Sequence, residues 1–292
     1  MSRRGRSVSA VAGKVAVVTG AASGIGRALA LELARRRARL ALSDVHDAGL
    51  EETTRLVQVE APGTFVHQQH LDVSDRDAVV AYADAVAAEF GVVNQIYNNA
   101  GIASGRTVLD ADWKVYDRVI GVNLWGVIHG SKAFLPHLIA SGDGHVINIS
   151  SLNGYFAQDE LSAYCTTKFG VRGFTETLRI EMLRDGHPVR VTVVHPGGVK
   201  TAIATSSVER AAEFGMEVTD ADRRRAQIYT EKLLRMDPAR AANIIIDGVE
   251  AGKARVLVGN DARVIDVIVR MFPVAYHRVV LLFDRLARLG SK

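Results

Sequence analysis

Residues 14–26 read KVAVVTGAASGIG, an apolar run followed by a turn that holds Gly20, Gly24 and Gly26. Three glycines within seven positions let the backbone turn sharply and bring bare N–H groups against a ligand, an approach that side chains would block. Downstream, RALALELARRRA (27–38) is rich in helix formers, with Leu29 and Leu33 four apart on one face. Strand, glycine turn and helix N-terminus together make an anion site, because the first N–H groups of a helix are unpaired and the helix dipole is positive there. Phosphate is the usual occupant. Ser23 and Ile25 lie within the same turn and belong to the same candidate cradle.

Outward from this unit, apolar runs of strand length recur at 39–43, 93–97, 145–149, 190–194 and 255–258, and GTFVHQQHLDV (63–73) fits a further strand. Helical patterns separate most of them, which predicts an α/β fold: a single doubly wound parallel sheet with helices on both faces. SDRDAVVAYADAVAAEFG (74–91) opens with a capping-box spacing, Ser74 to Asp77, and closes at Gly91. Neither an internal repeat nor a low-complexity linker interrupts the pattern, so residues 13–260 read as one domain.

Composition narrows the function classes. At 292 residues and 48% apolar content the chain can bury a sizeable core. Cys165 is the single cysteine, so no intramolecular disulfide forms, and the nine histidines show no HExxH and no zinc-type cluster. A reducing, cytoplasmic setting and no metal are expected. Residues 1–12 carry arginines but no apolar stretch of a secretory signal, and read as a disordered arm. No apolar run reaches transmembrane length. The formal net charge of +4 is unevenly spread: residues 1–10 hold three arginines and no acid, and 253–292 hold eight Lys/Arg against three Asp, which leaves 11–252 at −4. A mildly acidic body without a basic, aromatic-laced patch disfavours nucleic acid as a partner.

Asp44 ends the second strand, eighteen residues after Gly26. In a dinucleotide-binding unit an acid at this separation accepts hydrogen bonds from the adenosine ribose and repels a 2′-phosphate; an Asp after a strand also caps ordinary turns. Neither Ser23 nor Val45 supplies a cation for such a phosphate, which favours NAD over NADP. Further on, SAYCTTKFG (162–170) places Tyr164 and Lys168 four apart with helical character, hence on one face. A tyrosine with a pKa of about 10 is a poor base near neutrality, and a neighbouring ammonium favours its phenolate. Such pairs also occur by chance on helix surfaces. Thirteen residues before Tyr164 stands Ser151, at the end of HVINISS.

With TGxxxGxG at 19–26, Ser151 and the YxxxK of Tyr164 and Lys168, the sequence resembles the short-chain dehydrogenase/reductase family. NNAG at 98–101, VNLWG around Asn123 and HPGGVKT at 195–201 extend the likeness over roughly residues 14–200. The resemblance implies a Rossmann-type sheet and a nicotinamide-linked oxidoreductase. It makes Tyr164 the acid/base, Ser151 the hydroxyl that polarises the substrate oxygen, Lys168 the partner of Tyr164 and of the nicotinamide ribose, and Asn123 the anchor of a relay water. Asp72 and Val73 would meet adenine, Asn99, Ala100 and Gly101 would lie against the cofactor, and Pro196, Gly197, Val199 and Thr201 would border the nicotinamide. The implied reaction is hydride transfer between NAD(H) and a secondary alcohol or ketone. Alternatives are an NADPH-linked carbonyl reductase and a cofactor-binding regulator without turnover; a regulator has no chemical need for all four of Asn123, Ser151, Tyr164 and Lys168. Relatives of this kind assemble through long helices, so a homo-oligomer, dimer or tetramer, is expected, with Trp125 and Phe134 as core or subunit contacts.

Three features sit outside that pattern. His195 either faces substrate or is held by a local hydrogen bond, and Cys165 lacks an activating neighbourhood. Residues 199–236 are polar and weakly amphipathic, suiting a flap over the cleft. Residues 261–292 form an apolar, arginine-edged helical extension divided at Pro273. Its stretch 261–289 suits a membrane interface, the substrate cleft or a second subunit equally well by pattern. Flap and extension together point to a small, hydrophobic substrate.

Overall fold

Seven strands form one parallel sheet in the computed structural model, which describes residues 11–203, 218–219, 223–224, 227, 234–278 and 281. Nearly all of the expected arm, the middle of the expected flap and the end of the C-terminal extension lie outside the described residues. The strands are β1 (Val15–Thr19), β2 (Arg39–Asp44), β3 (Val66–His70), β4 (Gln95–Asn98), β5 (Gly144–Ile149), β6 (Val189–Pro196) and β7 (Arg255–Val258). Their spatial order is β3-β2-β1-β4-β5-β6-β7, every neighbouring pair parallel. The order reverses beside β1, where β2 pairs on one side and β4 on the other, and a crevice opens there at the carboxyl ends of the strands.

Helices α1 (Gly24–Arg35), α2 (Asp47–Glu60), α3 (Arg76–Phe90), α4 (Trp113–Ile120), α5 (Gly126–Ala140), α6 (Ser162–Arg184), α7 (Pro238–Glu250) and α8 (Asn260–Met271) follow in chain order. Both faces of the sheet are covered, because its central strands are apolar on both sides and each face needs a partner. On one face Leu29 and Leu33 of α1 pack with Ile245 and Ile246 of α7. On the other, Tyr82 of α3, Phe134 of α5 and Leu178 of α6 fill the core.

Gly91 closes α3 in the left-handed conformation at φ 73°, as its sequence position predicts. The start of α3 differs from the expected Ser74–Asp77 box. Asp75 is the cap, accepting from the N–H groups of Asp77 and Ala78, while the Ser74 hydroxyl is turned to Asp72, to which it donates at 2.7 Å, and to Arg118, from which it accepts at 2.9 Å. A single π-turn, Gly121–Trp125, joins α4 to α5. Glycine stands at its far edge for a steric reason: a Cβ on Gly126 would come within 2.6 Å of the Val73 side chain.

The two ends of the 199–236 segment meet at the mouth of the crevice: Val199 bridges Met236, and the Lys200 N–H donates to the Met236 carbonyl at 2.8 Å. Beyond β7, α8 ends at Met271, and a new helical turn at 276–278 follows Pro273. Among the described residues no helix is long and apolar enough to cross a membrane.

Candidate active site

The glycine turn fits its sequence reading in detail. Gly20 and Gly24 have φ values of 68° and 54°, which side chains rarely adopt. A Cβ on Gly26 would lie 1.9 Å from the Gly20 carbonyl oxygen, so Gly26 lets α1 start directly beneath the turn. The Asn99 side chain locks the arrangement by donating to the carbonyls of Thr19 (2.9 Å) and Gly20 (3.2 Å). The Thr19 hydroxyl in turn accepts from the N–H groups of Asn99 and Ala100. Across the opening, the Thr201 methyl stands 3.1 Å from where a Gly24 Cβ would be.

Above this turn lies a cavity of about 980 Å³, at the upper end of the roughly 300–1,000 Å³ of ligand sites. Gly20, Ser23, Gly24 and Ile25 form one end of it, with Asp44, Asp72 and Val73 beside them. Asn99, Ala100 and Gly101 form the floor. Ser151, Tyr164 and Lys168 stand opposite, and Pro196, Gly197, Val199 and Thr201 form the far rim. Gly26 and Asn123 do not line it; both act from behind the wall. Asn123 Oδ1 and Lys168 Nζ both converge on Gly101, each 3.4–3.5 Å from where a Cβ would stand.

Asp44 carries two loads. Oδ2 accepts from the Ala22 N–H at 2.9 Å and Oδ1 from the His46 N–H at 3.0 Å, which ties the glycine turn to the end of β2. A carboxylate has about four lone-pair sites, so two remain for a ligand. Asp72 is held by the Ser74 N–H and hydroxyl and by Arg118 of α4 at 2.8 Å. Burial works upward on its pKa, and these donors outweigh it to hold the carboxyl below the usual range.

At the reactive end, α6 carries Tyr164 and Lys168 on one face, with Lys168 Nζ 5.5 Å from the Tyr164 ring centroid. Lys168 is buried and donates to the Ile149 carbonyl at 3.0 Å; burial lowers its pKa to about 8. The end of β5 is strapped to α6 by the Ser150 hydroxyl, which donates to the Lys168 carbonyl at 2.8 Å. Ser151 Oγ accepts from the Asn153 N–H at 3.1 Å, and its O–H donates to Asn153 Oδ1 at 3.5 Å, a long bond that a closer acceptor in the cavity displaces. Asn123 is fully buried in the π-turn. Its Oδ1 accepts from the Ile102 N–H and its Nδ2 donates to the Ile102 carbonyl, both at 2.8 Å, so its side chain clamps the loop after Gly101.

The two readings left open for His195 resolve in favour of the local hydrogen bond. His195 lies outside the cavity lining, and its Nδ1 donates to the Ser151 carbonyl at 2.7 Å. Burial lowers its pKa to about 3, so it stays neutral and fixes the backbone that carries Ser151. Burial also pushes the Cys165 thiol up, which makes it inert packing. Phe134 is core, whereas Trp125 is half exposed and stacks on His129.

Several supporting residues escape a reading by motif: Arg118, Tyr155, Arg255 and Asp261. The Tyr155 hydroxyl donates to the Ala262 carbonyl of α8 at 2.6 Å, Arg255 lies over the Tyr155 ring at 5.1 Å, and Asp261 accepts from the Gly198 N–H at 2.6 Å. Each works through a partner distant in sequence, so no local spacing announces it. Together they fasten α8 to both loops that flank the cavity.

Residues 14–212 match the short chain dehydrogenase family. The chain is 51% identical over 273 residues to SadH of Mycobacterium tuberculosis, covering 94% of this chain and 96% of that protein. It is 40% identical over 194 residues to mouse epidermal retinol dehydrogenase 2, covering 66% of this chain and 62% of that one. A short-chain dehydrogenase/reductase from Burkholderia phymatum, solved in complex with NAD, superposes with a TM-score of 0.80 at 27% identity, over 94% of this chain and 96% of the other.

Proposed function

Because the chain belongs to the short-chain dehydrogenase family and is an oxidoreductase of that family, we propose that it moves a hydride between NAD(H) and an apolar secondary alcohol or ketone. The observation that carries this reading is the convergence of Tyr164, Lys168 and Ser151 on one wall of the cavity that the glycine turn closes at its other end. The bound nicotinamide supplies or takes up the hydride. Ser151 Oγ, which accepts from the Asn153 N–H, donates a hydrogen bond to the substrate oxygen and orients it while keeping its own proton. Tyr164 Oη gives a proton to that oxygen during reduction and removes it during oxidation. Lys168, as an ammonium beside the Tyr164 ring, favours the phenolate electrostatically and donates to the nicotinamide ribose. Asn123 acts through Ile102 by fixing the floor.

Asp44 underlies the choice of NAD. It borders the cavity beside the glycine turn, where its carboxylate would repel the added phosphate of NADP, and the NAD-bound Burkholderia neighbour supports that reading. The apolar substrate is supported by Leu152, Ile203, Val218 and Leu234 along the cavity and by the retinol-linked relative. The test is Tyr164→Phe assayed against a panel of apolar secondary alcohols with NAD. Turnover should fall by about 10² or more while NADH affinity stays at the wild-type value. Substantial residual activity in this variant would assign the proton transfer to another group.

A further inference from the structure

Helix α8 leaves an apolar stripe facing away from the protein, while Ile265 and Val269 on its inner side are half-buried. Ala262 and Asp266 face inward and are buried. At the helical angle of about 100° per residue, Val264, Val267 and Met271 fall on the opposite side, exposed by 57%, 59% and 67%. Phe272, Val274 and Leu281 continue the exposed apolar surface past the end of the helix. What anchors α8 is polar: Asp266 pairs with Arg255 at 2.7 Å, Ala262 accepts from Tyr155, and Tyr276 accepts from the Ala157 N–H and packs on Phe156. The outward valines take no part in holding the helix, and a contiguous apolar surface of this kind marks an interaction site.

Charge identifies the occupant. Arg263 and Arg270, seven apart, run along one edge of the apolar stripe, and His277 and Arg278 follow, all exposed. Both acids of the segment are engaged inward, Asp261 on the Gly198 N–H and Asp266 on Arg255 and Arg270. A two-fold contact with a second copy would set this patch against itself and bring cationic rims together. An apolar stripe with a cationic edge and retracted acids instead matches the interface of an anionic bilayer, where the side chains enter the acyl boundary and the arginines meet headgroups. We propose that α8 and residues 272–278 form a docking face for an anionic lipid surface. The same helix holds the two loops of Tyr155 and Gly198 that flank the cavity, so docking is coupled to the cavity through its walls. Delivery of an apolar substrate from that lipid rests on the function proposed above; the docking does not.

Sedimentation of the full chain with vesicles of phosphatidylcholine, with and without phosphatidylglycerol, tests the proposal. Binding is expected only with phosphatidylglycerol and should weaken as salt screens the exposed charges. Val267→Asp should lose at least tenfold in vesicle affinity. Arg263→Glu combined with Arg278→Glu should lose about fivefold or more per arginine. Val59→Asp, at an equally exposed apolar position on α2, should bind as wild type. NADH titration of each variant checks that it is folded, and Val264→Ser with Met271→Ser serves as a milder second variant. No sedimentation at low salt overturns the proposal, as does a folded Val267→Asp that binds vesicles normally. A fall in scattering mass for Val267→Asp with vesicle binding intact would assign the face to a second copy and also overturn it.

Discussion

At Lys168, burial and charge oppose each other, and the outcome sets a pH window. Burial brings its pKa down to about 8 from 10.5. Below about 8 the ammonium is charged in both the folded and unfolded chains, and its desolvation costs folding free energy. Between the two values the folded chain binds fewer protons than the unfolded one, so that cost disappears as pH rises. Binding moves the other way, because a charged donor to the ribose becomes a neutral one. NADH affinity should fall by about fivefold across pH 8, the roughly 1 kcal/mol that separates charged from neutral hydrogen bonds. In Lys168→Met the same titration should be flat; a wild-type curve with no step near pH 8 would remove Lys168 from ribose binding. Asp44 gives a second residue-scale prediction. Asp44→Asn removes the charge while its remaining carbonyl oxygen can still accept one of the two N–H bonds from Ala22 and His46. The preference for NADH over NADPH should therefore narrow by about tenfold, with fluorescence titration of both cofactors as the measure, since about 1–2 kcal/mol of like-charge repulsion is lost. An unchanged ratio would mean that Asp44 serves only the glycine turn.

The elements divide into those that local sequence dictates and those that distant partners dictate. Strands β1 to β7 are legible because each apolar run lies between turn or helix signals, and the motif residues are legible because they stand at the strand ends. The cap of α3 is misplaced by one residue because Ser74 turns its hydroxyl to Asp72 and Arg118, a choice that no pattern within 74–91 reveals. Helix α8 is the larger case. Its amphipathic pattern leaves open whether the valine stripe meets the enzyme, a second copy or lipid; in the structure Ala262 and Asp266 are the buried positions, because Arg255 on β7 offers an ion pair that valine cannot make and Tyr155 needs a small residue to reach the Ala262 carbonyl. An arginine edge and an apolar face are visible in sequence; the direction in which they point is not. Asp266→Ala should consequently destabilise the fold by about 2–3 kcal/mol, somewhat under the cost of breaking a fully buried pair, since it strands a largely buried Arg255. Thermal unfolding reads that loss. The wild-type contribution should itself fade in acid. Burial pushes the Asp266 pKa up, but Arg255 and Arg270 outweigh it and hold the carboxyl below its usual value. The stabilisation is therefore present above the unfolded carboxylate pKa and lost as pH falls through the folded one. A variant as stable as wild type at neutral pH would show that α8 is anchored by Tyr155 and Tyr276 alone.

Across the whole molecule the chemistry collects at one rim, where the carboxyl ends of seven parallel strands deliver loops from residues far apart in sequence. On the outer surface, two of the apolar faces exposed among the described residues differ in character. One is the outward side of α8, edged by arginines. The other lies on α6, where Phe169, Ile180 and Leu183 share one helical face and are 42%, 65% and 54% exposed. Trp125, half exposed at the start of α5, is a further uncovered aromatic of the helices that back the active site. The α6 face interleaves its apolar groups with the Arg172–Glu176 ion pair, so both signs of charge are present and self-complementary contact is unopposed. Burial of the α6 face against its copy gains the usual apolar transfer free energy, about 25 cal/mol per Å², without setting like charges together. The chain should therefore be a homo-oligomer through α6, with a dimer as the basic unit, while α8 stays free for lipid. Light scattering at micromolar concentration should give at least twice the 31.5 kDa of one chain. Ile180→Glu should shift it to monomer by placing like charges across the two-fold axis, and Val267→Asp should leave it unchanged. Monomer in the wild type, or an oligomer indifferent to Ile180→Glu, would refute assembly through this face.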